Sequence, residues 1–301
     1  MQRGSRIITG ALPVIVFAFA AGFLGATPAK AMVVELTGDP LTYVSPSGLI
    51  RSDFGLLGTA WNPGANTARF GGNPAPGGAT WSIMGAGFTV APAAVASEGG
   101  AHGANLTAAI TALGVPGFAA ANYAAMFNAA FNVWAAAANW TNLGQVADGG
   151  VNAGAAQAAG GHLGDMRIAA WEILNPNILA HAFQPGTEVQ FGPGGTIAGD
   201  IHFDVGKIWA DDPTDTTADP DFDLFTVALH EFGHALGLGH SDVVGSVMEP
   251  VYAGARRILT ADDIAGIQTI YGPAQQVPEP TTLVLLGLGL GLVAFARRRA
   301  R

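Results

Sequence analysis

Three histidines and a glutamate fall within eleven consecutive residues, His230-Glu231-Phe232-Gly233-His234-Ala235-Leu236-Gly237-Leu238-Gly239-His240. Histidines four apart share one face of a helix, so His230 and His234 can reach a single metal ion. Glu231 stands beside the first of them, where a carboxylate can hold and deprotonate a metal-bound water. Gly237 can leave the helix with φ > 0, a conformation that costs other residues more. The chain can then turn back and offer His240 as a third ligand. Three protein ligands with a fourth position left for water is the arrangement of a catalytic zinc rather than a structural one. The competing reading is a core helix with incidental histidines. Three of the chain's seven His at this spacing, with the Glu and the Gly, leave that reading little room.

The pattern H-E-x-x-H-x-x-G-x-x-H resembles the metzincin metalloproteases. That group also carries a methionine turn beneath the metal, and Ser246-Val247-Met248-Glu249-Pro250-Val251-Tyr252 is similar to one. Ser241 after the third histidine resembles the matrixin branch, which is matrix-metalloprotease-like. Two other branches place a zinc-binding tyrosine two residues after the methionine; that position is Pro250 here. Leu179-Ala180-His181-Ala182-Phe183 and Gly199-Asp200-Ile201-His202-Phe203-Asp204 look like the matrixin segments ahead of the active helix. Thr260 to Gly272 looks like its closing helix. The likeness is good from about Asn122 to Gly272.

This resemblance implies an α+β, zincin-like catalytic domain: a twisted mixed β-sheet, two long helices and a C-terminal helix. It implies zinc-dependent hydrolysis of protein or peptide substrates. His230, His234 and His240 would hold catalytic zinc, Glu231 would act as general base, and Met248 would pack under the metal. Pro250 and Tyr252 would wall the S1′ substrate pocket. His181 and His202 match two ligands of a structural zinc, but the upstream segment that supplies two more is shortened. A hydrogen-bonded histidine pair is the other reading of those two. Asp165 and Asp200 match calcium ligands, with carbonyls of the Gly192–Gly195 loop as partners. Asp204 matches a further calcium carboxylate whose usual acidic partner is replaced near Gly206-Lys207. His102 reads as a loop residue, and His162 has no assignment. The substrate strand would pair with a sheet edge near Thr196 to Asp204. A non-catalytic surface or matrix binding protein on the same fold is the alternative function, and the intact ligands and Glu231 argue against it. Zinc-dependent hydrolysis of something other than protein is a third.

Several elements must position these residues. Tyr123, Met126, Phe127, Ala130, Phe131, Trp134 and Ala138 recur at helical spacing, which predicts a helix over Asn122 to Trp140 with an aromatic stripe in the core. Strands are expected at Ala79 to Met84, Asp165 to Trp171, Ile178 to Phe183 and Thr196 to Asp204. The active helix should run from about Leu224 to Leu236, with Asp221 and Asp223 at its positive N-terminal end. Thr260 with Asp263 reads as the capping box of the last helix.

The ends read as sorting signals. Arg3 and Arg6 precede an apolar run from Ile7 to Leu24, and Ala29-Lys30-Ala31 offers a cleavage site, so residues 1–31 read as a signal peptide. Residues 32–78 have no clear role, and 79–272 would be the catalytic domain. A linker, 273–280, ends in Pro278-Glu279-Pro280. Residues 281–301 hold an apolar stretch and then Arg297 to Arg299, reading as a transmembrane or sorting segment. This end resembles the PEP-CTERM sorting signal, which implies exosortase-type processing and an exported, extracellular or cell-surface protein of a Gram-negative bacterium. Membrane contact would be confined to the two terminal segments. Between them, Met32 to Gln276 carries six basic and 21 acidic residues, a formal net charge of −15. Nucleic acid is therefore excluded as a partner on electrostatic grounds. There is no cysteine, so neither disulfides nor a thiolate cap on the metal is available.

Overall fold

The computed structural model describes residues 31–35, 54–63, 68–70, 74–90, 106–152, 164–186, 197–216, 221–275 and 299. Along them run β1 (Ala31–Glu35), β2 (Phe54–Leu56), β3 (Thr59–Trp61), β4 (Ala68–Phe70) and β5 (Gly77–Ile83). A 3-10 turn (Ile110–Leu113) leads to helix α1 (Ala120–Ala137) and then β6 (Trp140–Gln145). Next come β7 (Met166–Trp171), β8 (Ile178–Phe183), β9 (Ile201–Asp204), β10 (Ile208–Ala210) and β11 (Asp221–Asp223). Helix α2 (Leu224–Ala235), β12 (Leu238–Ser241) and helix α3 (Ala261–Tyr271) complete the order. This is the α+β arrangement expected: a mixed sheet, two longer helices and a closing helix.

Six strands form one sheet in the order β1-β8-β9-β7-β5-β6. β9, β7, β5 and β6 are mutually parallel, whereas β8 and β1 each pair antiparallel. Every residue of β7, β8 and β9 is buried. That explains their nearly unbroken apolar runs, since strands covered on both faces need no polar alternation. The exception in β7, Arg167, is neutralised in place. Its guanidinium bonds both oxygens of Asp148, at 2.9 and 3.0 Å, and the carbonyls of Val151 and Asn152.

The aromatic stripe of α1 packs between sheet and active helix, as its spacing requires. Phe131 stacks on Phe232 of α2 with ring centroids 3.8 Å apart, and Phe127 stacks on Phe203 of β9 at 5.6 Å. Trp134 donates its indole N–H to the Leu229 carbonyl at 2.9 Å. The helix stops at Ala137, earlier than the expected Trp140, because tertiary partners claim the next residues. Asn139 N–H bonds the Gly272 carbonyl, and Trp140 opens β6 opposite Gly77. Ala138, the last residue of the expected stripe, is buried but has an extended backbone beyond the helix end.

Residues 54–61, which the sequence leaves without a role, finish the active helix. The last carbonyls of a helix have no partner within it. Here Trp61 donates its indole N–H to Ala235, Tyr271 its hydroxyl to Leu236, and Leu57 its N–H to Gly237. β2 pairs antiparallel with β12 just beyond.

One expectation is corrected here. The described part of the expected edge segment, residues 197–204, contains no sheet edge, because β9 lies between β7 and β8. β8 is the strand that flanks α2 on this side, and its outer edge is taken by β1, with Met32 opposite Ala182 and Val33 opposite His181. Among the described residues no helix is long and apolar enough to cross a membrane. The apolar runs 7–24 and 281–296, His102, His162 and the Gly192–Gly195 loop lie outside the described residues.

Phe131→Ala should remove the tightest aromatic stack between the two long helices and cost about 3–5 kcal/mol. Denaturant unfolding of the variant beside the parent protein reads this directly; a loss under 1 kcal/mol would mean the stack is not a principal core contact.

Candidate metal centre

Helix α2 begins where its N-cap allows. The Asp223 carboxylate accepts from the Thr226 N–H at 3.0 Å and from its hydroxyl. From there the helix carries His230 and His234 on one face, and it ends at Gly237 with φ +106°. A Cβ at Gly237 would lie 2.3 Å from the Thr59 carbonyl oxygen, so both the positive φ and the close approach require glycine. The reversal lets β12 deliver His240. The ligand nitrogens of His230, His234 and His240 all lie within 4.8 Å of one another.

Both helix histidines are fixed by main-chain carbonyls. His230 Nδ1 donates to Val247 at 2.7 Å and His234 Nδ1 to Leu238 at 2.8 Å. A carbonyl only accepts, so each Nδ1 carries the proton and each Nε2 presents a lone pair. These two Nε2 atoms face each other at 2.8 Å. Burial, helped by His240, drives His230 down to about 3, and burial likewise holds His234 well below the usual histidine range. Two neutral rings with lone pairs turned on one point repel unless a cation lies between them. The donor set is three imidazoles, which suits zinc.

Glu231 is fully buried, and its oxygens make no hydrogen bond to any described residue. Burial pushes its carboxyl well above the usual range. A buried polar group without a partner is costly, and here it follows directly on His230 of the histidine cluster. This carboxyl is therefore available to a water or substrate atom in the site.

The turn beneath the histidines is held from α3. Asp263, which also caps that helix through Thr260, accepts from the Val247 N–H at 3.1 Å and the Met248 N–H at 3.2 Å. It also accepts from the Ser246 hydroxyl. Met248 O in turn accepts the Ser241 N–H at 2.8 Å, next to His240. Met248 is buried against α2. A Cβ on Gly233 would sit 2.3 Å from its sulfur, so this helix glycine makes room for it. The sequence flags the capping box but gives no sign of this second use of Asp263.

Tyr252 lies beside the cluster with its hydroxyl donating to Asp215 and accepting the Asp223 N–H at 2.9 Å. Burial first, then Asp215, pushes its phenol far above the normal range, so it stays protonated. Pro250 is half-buried and is not among the residues that line the pocket between His230 and Tyr252.

The other expected ligands lie elsewhere. His181 and His202 are cross-strand partners on β8 and β9, fully buried, with His181 Nε2 and His202 Nδ1 2.8 Å apart. Among the described residues, the only His, Cys, Asp or Glu grouping of metal-binding size is the 230/234/240 cluster. Asp165 and Asp200 are buried just ahead of β7 and β9, and Asp165 accepts from Thr80 N–H and hydroxyl at 2.7 Å. Asp204 is engaged by the N–H groups of Ile173 and Gly206, and the Lys207 ammonium lies 3.5 Å from its second oxygen. Lys207 also donates to the Pro176 carbonyl at 2.6 Å. An ammonium thus already bridges the carboxylate and the carbonyl there, which weighs against calcium at Asp204.

Comparison with known proteins adds to this geometry. Residues 102–272 match the Matrixin family and residues 276–300 the PEP-CTERM protein-sorting motif. Interstitial collagenase of Bos taurus is 46% identical over 103 residues, 34% of this chain and 19% of that protein. Neutrophil collagenase of Homo sapiens is 47% identical over 110 residues, 35% of this chain and 21% of that protein. Matrix metalloproteinase-25 of Mus musculus is 47% identical over 105 residues, 33% of this chain and 15% of that protein. The chain therefore spans about a fifth or less of the length of these relatives.

Asp263→Ala should free the Val247 and Met248 amides and loosen the carbonyl that orients His230. Zinc affinity, measured by competition with a chromogenic chelator, should fall roughly 10–100-fold. Unchanged affinity in a folded variant would show that the turn holds its shape without Asp263.

Proposed function

The chain belongs to the matrixin family, and from that premise we propose that it is an exported zinc-dependent endopeptidase. The observation that carries the reading is the convergence of three imidazoles beside a buried carboxyl that no described residue hydrogen-bonds. His230, His234 and His240 would hold the zinc. Zinc bound there would acidify a water and polarise the scissile carbonyl.

The remaining steps belong to the chain's own residues. Glu231 takes a proton from the attacking water as its oxygen adds to the carbonyl carbon. It then delivers that proton to the amide nitrogen as the C–N bond breaks. A carboxyl whose affinity for protons is raised by burial suits both halves of this transfer. The Val247 and Leu238 carbonyls hold His230 and His234 in the tautomer that leaves Nε2 free. An extended peptide substrate would pair with β8, the strand beside α2, in the place β1 takes. Its side chain after the scissile bond would enter the space between His230 and Tyr252.

The PEP-CTERM match marks a protein exported and sorted to the surface. We extend this to a Gram-negative cell surface or its surroundings, with exosortase-type processing of the C-terminus. The acidic body supports a soluble exported domain and argues against a nucleic-acid partner.

Glu231→Ala should keep close to one zinc per chain yet lose cleavage of an unfolded protein substrate by at least about 100-fold. A chelator should abolish cleavage by the parent protein, and added zinc should restore it. Undiminished cleavage by the variant would remove Glu231 from the mechanism, and cleavage indifferent to the chelator would remove the metal.

A further inference from the structure

Beside His230 a pocket opens between α2 and the segment that follows the methionine turn. Thr226, Val227, His230, Val247, Tyr252 and Arg256 all line it. Its volume is about 10 Å³, at the lower limit of the room one water needs. Arg256 is anchored on two sides of it. Its backbone N–H donates to the Thr226 hydroxyl oxygen at 2.8 Å, drawing the loop onto the first turn of α2. Its guanidinium donates to the Ser246 carbonyl at 3.0 Å and pairs with Glu249 at 2.6 Å. The side chain is thus pinned across the pocket by a carbonyl and a carboxylate on the turn itself.

The neighbouring residues keep the loop from moving aside. Arg257 bonds both Asp223 oxygens and Asp211. Ala255 N–H bonds the Asp215 carbonyl, and Gly254, with φ +96°, lies so close that a Cβ would be 2.9 Å from that same oxygen. Tyr252 is tied to Asp215 from the other side.

We propose that Arg256 floors this subsite and restricts the substrate residue after the scissile bond to a small, uncharged side chain. The inference rests on the endopeptidase reading and goes beyond it by naming what the subsite admits. Glu249 neutralises the guanidinium, so the arginine acts by filling space and not by attracting an acidic residue. A group as large as a benzyl cannot enter without breaking the Arg256 contacts to Ser246 and Glu249.

The test uses the full-length zinc-loaded protein and three peptides that differ only after the scissile bond: Ala, Leu and Phe. The parent protein should cleave the Ala peptide with a kcat/KM about tenfold or more above the Phe peptide, in line with what a few methylenes are worth in a fitted pocket. Arg256→Ala should shrink that ratio by about tenfold, through faster cleavage of the Phe peptide. Arg256→Lys keeps a cation for Glu249 on a slimmer head and should shift the ratio the same way by less, which covers the case of a misfolded alanine variant. A parent protein that cleaves the Phe peptide as well as the Ala peptide overturns the proposal. So does a ratio that neither variant changes. No cleavage of any of the three by folded, zinc-loaded protein overturns the endopeptidase reading itself and takes the proposal with it.

Discussion

Two main-chain carbonyls, those of Val247 and Leu238, decide which nitrogen of His230 and His234 is free. Each accepts the Nδ1 proton, and a buried imidazole that has placed its one proton there can offer only a lone pair from Nε2. The rest of the architecture follows from keeping those carbonyls still. Leu238 stands on β12, which is clamped to β2 and to the end of α2. Val247 stands on a turn whose amides are gathered by Asp263 from α3. Helix α3 is in turn tied back by Tyr271, whose hydroxyl reaches both Leu236 and Trp61. Segments far apart in sequence thus converge on the orientation of two rings.

The site contains two buried acids handled in opposite ways. Asp263 is buried but accepts from Ser246, Val247, Met248 and Thr260, so its charge is spread over many donors. Glu231 is equally buried and is given no donor by the described protein. One carboxylate is spent on structure, and the other is left with its affinity for protons raised. Leaving a polar group so exposed to the low dielectric is tolerated where chemistry needs it and is otherwise uncommon.

Much of this can be read in the sequence because the local signals are strong. The spacing of His230, His234 and His240 with Gly237 contains the helix face and the reversal, and the aromatic stripe of α1 contains its buried side. The capping pair Thr260 and Asp263 marks the start of α3 to the residue. The illegible parts depend on partners distant in the chain. Nothing local says that Asn139 will be claimed by Gly272, so the end of α1 is misplaced. Nothing in the short apolar run of residues 54–61, with its two glycines, announces that it closes the carbonyl end of α2. Arg256 looks like a loop cation until the turn folds back to meet it. The position of the sheet edge is topological: β8 runs against its neighbour, a fact of register and direction that side-chain pattern does not encode.

The seating of β1 on β8 has a thermodynamic consequence for anything that would bind there. An arriving peptide forms no net new main-chain bonds, because it must replace those already made to residues 31–35. It competes with a rival that belongs to the same chain and is therefore not diluted away. Apparent affinity is then the intrinsic affinity scaled by the fraction of molecules whose edge is bare. Backbone pairing, being common to every sequence, cancels in this exchange. Because the bare fraction is the same for every peptide, the occupied edge weakens all of them alike, and their ranking is left to how side chains fit.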